Sequence, residues 1–168
     1  MGKKSSIENK NIYLKSREDA DLTRAEASEL MKYVSESRLE KIESEKTTAH
    51  PEDIIAMAKA YRKPVLCNYY CSHECAIGQE QVPEIKEQSL AEIVLGMLSS
   101  LNTLNREKER LIEITADGLI SDDELPDFVH IKEQLDKLSL TLDAMKLWVD
   151  NTIASGAIDP KKLEALIH

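Results

Sequence analysis

At 168 residues the chain can form one domain, or one small domain with a helical extension, and can bury a core without disulfide staples. Charged residues make up 32% and aromatics 4%, with five Gly and five Pro, a composition that favours long amphipathic helices and disfavours a strand-rich fold. The formal net charge is −9, split as +1 over residues 1–64 and −10 over residues 65–168; an acidic surface repels phosphates, so any nucleic-acid binding falls to the N-terminal part.

Residues 1–10 are polar. Their Met-Gly-Lys-Lys-Ser-Ser start fits the loose myristoylation pattern at Gly2 and Ser6, although a solvated tail explains it more simply. Ile12–Asp19 reads as a first helix. Thr23 and Glu26 have the spacing of a capping box, which opens a second helix running to about Met31. Ser35 can cap a third helix carrying Arg38, Leu39 and Ile42. Pro51, favoured at a first helical position, opens a fourth through Ile54, Ile55, Met57, Ala58 and Tyr61, and Pro64 closes it. A cysteine-rich segment (67–78) and a Pro83 linker follow.

Two long helices come next. Leu90, Val94, Met97, Leu101, Leu104 and Leu111 recur on alternating steps of four and three, with Lys108 interrupting the row. Phe128, Ile131, Leu135, Leu138, Leu142, Met145 and Val149 repeat the pattern without a break. This is the a/d spacing of a coiled-coil seam. Gly118 is suited to end the first of these helices, and Ser121 with Glu124 forms a second capping box. The short turn predicts an antiparallel hairpin too long for a compact module to cover alone, so part of it is expected to pack against a second copy. Asp159-Pro160 starts a last short helix.

The stretch from about Leu14 to Val65 resembles the Cro/CI-type (Xre) helix-turn-helix family. Arg17, Leu22-Thr23, Ser28 and Ile42-Glu43 stand where that family has an Arg ending helix one, a Leu-Thr opening helix two, a small residue within it and an Ile-Glu closing the recognition helix. The resemblance implies an Arg17–Glu43 scaffold ion pair, an Arg24 phosphate contact and a third helix that reads the major groove. Ser35, Glu36, Ser37, Glu40 and Lys41 would face the groove with Arg38 at its margin, and Lys32 and Lys46 would meet flanking phosphates. The Leu22–Glu43 interval is one residue longer than is usual in the family, and Lys32-Tyr33 stand in a turn where Gly is common. The segment Cys67–Gly78 with the hairpin also looks like an uncharacterised group of bacterial regulators of this type, which often have Pro where this chain has Ala76.

Cys67, Cys71 and Cys75 recur every four residues with His73 among them. Three thiolates and an imidazole are a legitimate zinc set, but the spacing is not that of a C-x2-C knuckle. On a helix His73 would point off the cysteine stripe. Small buried thiols under Tyr69 and Tyr70 are the simpler reading, and redox sensing is a third. Residues 113–124 echo a calcium loop, although Thr115 is a poor ligand and Glu113 has the wrong length for the first place; a helix stop followed by a helix start accounts for them equally. His50, His130 and His168 stand alone. No nucleophile arrangement and no phosphate-cradling glycine loop is present, so no enzyme is expected.

The expectation is an all-α chain: a lambda-repressor-like helix-turn-helix domain over 1–66, a cysteine-containing connector over 67–86 and an antiparallel helical hairpin over 87–168. Its expected function is that of a homodimeric, double-stranded-DNA-binding transcription regulator with no cofactor beyond possible zinc. The alternatives are an adaptor that keeps the scaffold without binding DNA, because Glu36 and Glu40 oppose phosphates, or a metal- or redox-responsive regulator. No apolar run approaches the roughly 18 residues of a membrane span and no signal segment opens the chain. With an odd cysteine count, a cytoplasmic location is expected.

Overall fold

A computed structural model of the chain describes residues 10–167; the Gly2/Ser6 pattern and His168 lie outside them. All regular structure among these residues is helical: α1 Ile12–Asp19, α2 Arg24–Met31, α3 Glu36–Glu43, α4 Pro51–Tyr61, α5 Val65–His73, α6 Ala76–Gln81, α7 Leu90–Thr115, α8 Leu125–Ala154 and α9 Pro160–Ile167. No helix is long and apolar enough to cross a membrane among the described residues. The chain divides into two compact units, Met1–Glu84 with Val149–His168, and Ile85–Trp148.

In the first unit, polar side chains that satisfy the free amides of the first turn set the helix starts. Asn11 accepts from the Leu14 amide and Ser35 from the Arg38 amide. Thr23 and Glu26 form the complete capping box that their spacing predicts. Pro51 stands at the start of α4, where its missing N–H costs nothing, and Arg62 ends that helix in the left-handed region. Leu14, Leu39, Met57 and Leu66 are fully enclosed, in a core with Ala27, Val34, Ile42 and Ile54. Each buried aliphatic side chain contributes about 1.5–3 kcal/mol.

The α2–α3 turn holds its extra residue in an uncommon way. Lys32 has φ +65° and ψ −42°, and the Tyr33 amide donates to the Met31 carbonyl at 2.7 Å. That is a γ-turn of the rare, strained hand.

The segment expected as a connector is helical. α6 crosses α5 so closely that a Cβ on Gly78 would lie 2.0 Å from the Cys71 carbonyl oxygen. Only glycine permits that approach.

In the second unit, α7 opens with a capping box of Ser89 and Glu92 and pairs with α8 as an antiparallel hairpin. Glu107 meets His130 at 3.1 Å and Arg110 meets Asp127 at 2.7 Å, while a Cβ on Gly96 would lie 3.2 Å from Thr141. The turn contains Gly118 at φ +75°, and Ser121 donates through its amide and hydroxyl to Glu124. The calcium-loop echo dissolves here: Glu113 pairs with Arg110, Asp117 accepts from the Leu119 amide and Glu124 is bound by Ser121.

The seam keeps only part of the row that the leucine spacing predicts: Ile131 is buried, and Val94, Met97, Leu104 and Leu138 are half-buried. The deepest side chains of α7 are Ile93, Ser100 and Ile114, and those of α8 within this unit include Ile131 and Gln134. Leu90, Leu101, Leu135 and Leu142 are 39–46% exposed. Leu101 and Leu135 each follow a buried residue by one position, and Leu142 follows the facing Thr141 by one. One position is a rotation of about 100° on a helix. In an antiparallel pair that rotation carries both rows to the same side, so the hairpin presents one leucine-rich face to solvent.

Candidate nucleic-acid interface

α1, α2 and α3 meet around Glu43, the last residue of α3. Arg17 donates to both its oxygens at 2.6 and 3.0 Å and to the Leu22 carbonyl at 2.6 Å. Arg24 donates to it through Nε at 2.7 Å. The Glu43 side chain is 1% exposed, that of Arg17 8% and that of Arg24 34%. Burial alone would lower the Arg17 pKa, and the hydrogen bonds and charge of Glu43 outweigh it and raise it. Two guanidinium groups share one carboxylate, so the cluster keeps a positive charge. It emerges at Arg24, the first residue of α2, where the helix dipole is also positive. The terminal amino groups of Arg24 make no hydrogen bond among the described residues.

Arg38 is committed elsewhere. Its Nε donates to Asp53 at 2.9 and 3.1 Å and its Nη2 completes a fork–fork pair, the strong geometry of a guanidinium on a carboxylate. Burial would raise the Asp53 pKa, but Arg38 and the His50 amide hold it below the ordinary aspartate range. The pair fixes the start of α3 against the start of α4, and Arg38 is a positioning residue in this structure. Sequence spacing marks Asp53 only as the third residue after a capping position; its partner is 15 residues away and carries no local signal.

The outward face of α3 consists of Glu36, Ser37, Glu40 and Lys41, all exposed, with the Ser35 hydroxyl engaged in the cap. Lys32 at the strained turn and Lys46 beyond the helix are also exposed. Ser35, Glu36, Ser37, Glu40 and Lys41 therefore share a solvent-facing helix, Arg24 lies beside it at the α2 start and Arg38 is turned onto α4. Lys32, Lys41, Lys46 and Arg24 lie on the same part of the molecule as the exposed Glu36, Glu40 and Glu45, a field of mixed sign.

The cysteine segment does not assemble a metal site. Cys67 and Cys71 lie one turn apart on α5, Cys75 is beyond its end at the start of α6, and the His73 ring stacks on Tyr69 at 4.4 Å. Among the described residues no group of three His, Cys, Asp or Glu is placed to hold a metal ion. Burial, with Cys71 and Asp150, pushes the Cys67 thiol up, opposite to the lowering that activates a thiolate. All three thiols are free and half-buried.

Comparison with known proteins agrees with this geometry. A family model described as helix-turn-helix matches residues 15–66, the stretch that holds α2, α3, α4 and the Arg17–Glu43 pair. No curated protein and no solved structure matches the chain. The N-terminal module is a helix-turn-helix domain of the kind found in DNA-binding regulators.

Proposed function

We propose that the protein is a DNA-binding transcription regulator that acts as a homodimer in the cytoplasm of a bacterium. The observation that carries this reading is the Arg17–Glu43–Arg24 cluster within the helix-turn-helix match. It braces α3 from inside while leaving a partly exposed guanidinium at the α2 N-terminus. In this reading α3 enters the major groove, Ser37 and Lys41 reach base edges, and Arg24, Lys32 and Lys46 meet phosphates. Ser35 and Arg38 hold the helix in place. The exposed leucine face of the hairpin supports pairing with a second copy, which would set the half-site spacing. The division into an N-terminal reading domain over 1–66, a connector over 67–86 and a hairpin over 87–168 follows the same logic.

Lys46→Ala and Arg24→Ala tested by fluorescence anisotropy should weaken binding evenly across sequences and reduce the salt slope by about one each. Lys41→Ala should alter sequence preference as well. A second reading rests on Glu36 and Glu40: an adaptor whose acidic α3 face binds a basic protein surface. Glu36→Gln with Glu40→Gln separates the two, since DNA affinity should rise in a regulator and partner affinity should fall in an adaptor.

A further inference from the structure

An open groove of about 950 Å³ lies in the first unit, between the start of α1, the loop that follows α3 and the outer side of α5. Its size is that of a small-molecule site (roughly 300–1,000 Å³). The partly exposed Tyr69, which carries His73 stacked on one face, and Tyr70 supply aromatic walls, with the buried Tyr13 behind them, and Glu45, Lys46 and Glu74 supply charge. Tyr13 and Tyr69 meet edge to face at 6.2 Å, and the Tyr13 hydroxyl donates to Glu74 Oε1 at 2.6 Å. That bond fixes one Glu74 oxygen, and neither the other oxygen nor the Glu45 carboxylate has a bonded partner among the described residues.

Burial, and then Glu74, Glu45 and Glu84, push the Tyr69 hydroxyl pKa up, so these carboxylates lie close enough to the ring for their field to be felt. An aromatic face with carboxylates around it attracts an organic cation through the ring quadrupole and through Coulomb energy together. A small anion would find two carboxylates against Lys46. A divalent metal would find no three-ligand group. A neutral apolar molecule would leave both carboxylates without use.

We propose that this groove binds a small organic ammonium ion with an apolar body, its charge between Glu74 and Glu45 and its body on Tyr69 and Tyr70. Loop residues 45–50 form one wall and Ile42 of α3 another, and the Asn11 side chain donates to the Ile42 carbonyl at 2.9 Å at the same place. Occupancy would tie α5 to the end of the recognition helix and bias its position. That regulatory consequence rests on the DNA-binding reading; the binding itself does not.

The test is an amide-resolved NMR titration of the full chain without DNA, using three probes of matched body: phenethylammonium, 3-phenylpropionate and 3-phenylpropanol. The ammonium should give saturable shifts at concentrations of about 1 mM, confined to the neighbourhood of residues 11–13, 45–50 and 69–74. The carboxylate and the alcohol should bind at least about tenfold more weakly. Glu74→Gln keeps an acceptor for Tyr13 and should weaken the ammonium about tenfold; Glu45→Gln, on an exposed carboxylate, tests the same point if the first variant unfolds. Equal binding of the three probes, shifts elsewhere, no saturable shift, or unchanged affinity in a folded carboxamide variant would each overturn the proposal. Because no DNA is present, a failure here leaves the DNA-binding reading standing, and a gel shift with and without phenethylammonium reports on the link.

Discussion

Glu43 is enclosed between two guanidinium groups with 1% of its side chain exposed. Removing one partner of such a buried set leaves an uncompensated charge, at a cost of about 3–5 kcal/mol. Glu43→Gln should lower unfolding free energy by that order in urea, and Arg24→Ala, where the side chain is one-third exposed, by much less. Asp53 gives a pH signature. Its folded pKa is depressed by Arg38 and the His50 amide, so its stabilisation is complete above the unfolded value of about 3.9 and is lost as pH falls through the lower folded value. Thermal melts should therefore fall below about pH 4, and Asp53→Asn should be less stable at neutral pH with a shallower acid limb. At this scale the sequence was legible where partners are local or follow a known pattern. Thr23–Glu26 is a spacing rule, and Arg17–Glu43 follows from the family resemblance. Arg38–Asp53 and Tyr13–Glu74 join distant parts of the chain, and no periodicity announces them. The resemblance placed Arg38 at the groove margin; the structure instead turns it onto α4.

Among the elements, the helix starts at Thr23, Ser35, Pro51 and Asp159 were readable because capping is chemistry of one or two side chains. The hairpin seam was legible in part: Ile131 is buried and Val94, Met97, Leu104 and Leu138 are half-buried as their spacing predicts, while Leu101, Leu135 and Leu142 are exposed. A leucine count cannot tell the face that meets the neighbouring helix from the face beside it, and here Ser100 and Gln134 are buried while Leu101, Leu135 and Leu142 are exposed. The α2–α3 turn carries a prediction of its own. Lys32 sits in a strained γ-turn, so Lys32→Gly should raise stability by about 1 kcal/mol, measured by denaturant unfolding, while removing one proposed phosphate contact. The crossing of α5 and α6 carries another. A methyl group at Gly78 meets the Cys71 carbonyl, and Gly78→Ala should cost about 1–3 kcal/mol and expose the 74–82 region to protease. An unchanged cleavage pattern would mean that the two helices are free to separate.

For the whole molecule, the proposed regulator assigns DNA to the near-neutral N-terminal part and pairing to the acidic C-terminal part. Leu101, Leu135 and Leu142 lie on one exposed hairpin face, and Leu101→Glu with Leu135→Glu should convert the proposed dimer to monomer in sedimentation velocity without loss of helicity. If the helix-turn-helix domain holds DNA, its affinity must depend on salt. Anisotropy titration of the full chain against a pool of random duplexes at about 50 and 200 mM salt should show binding that weakens steeply at the higher salt as counterion release is lost. Absence of binding at the lower salt, or an affinity indifferent to salt, would contradict DNA binding by this domain.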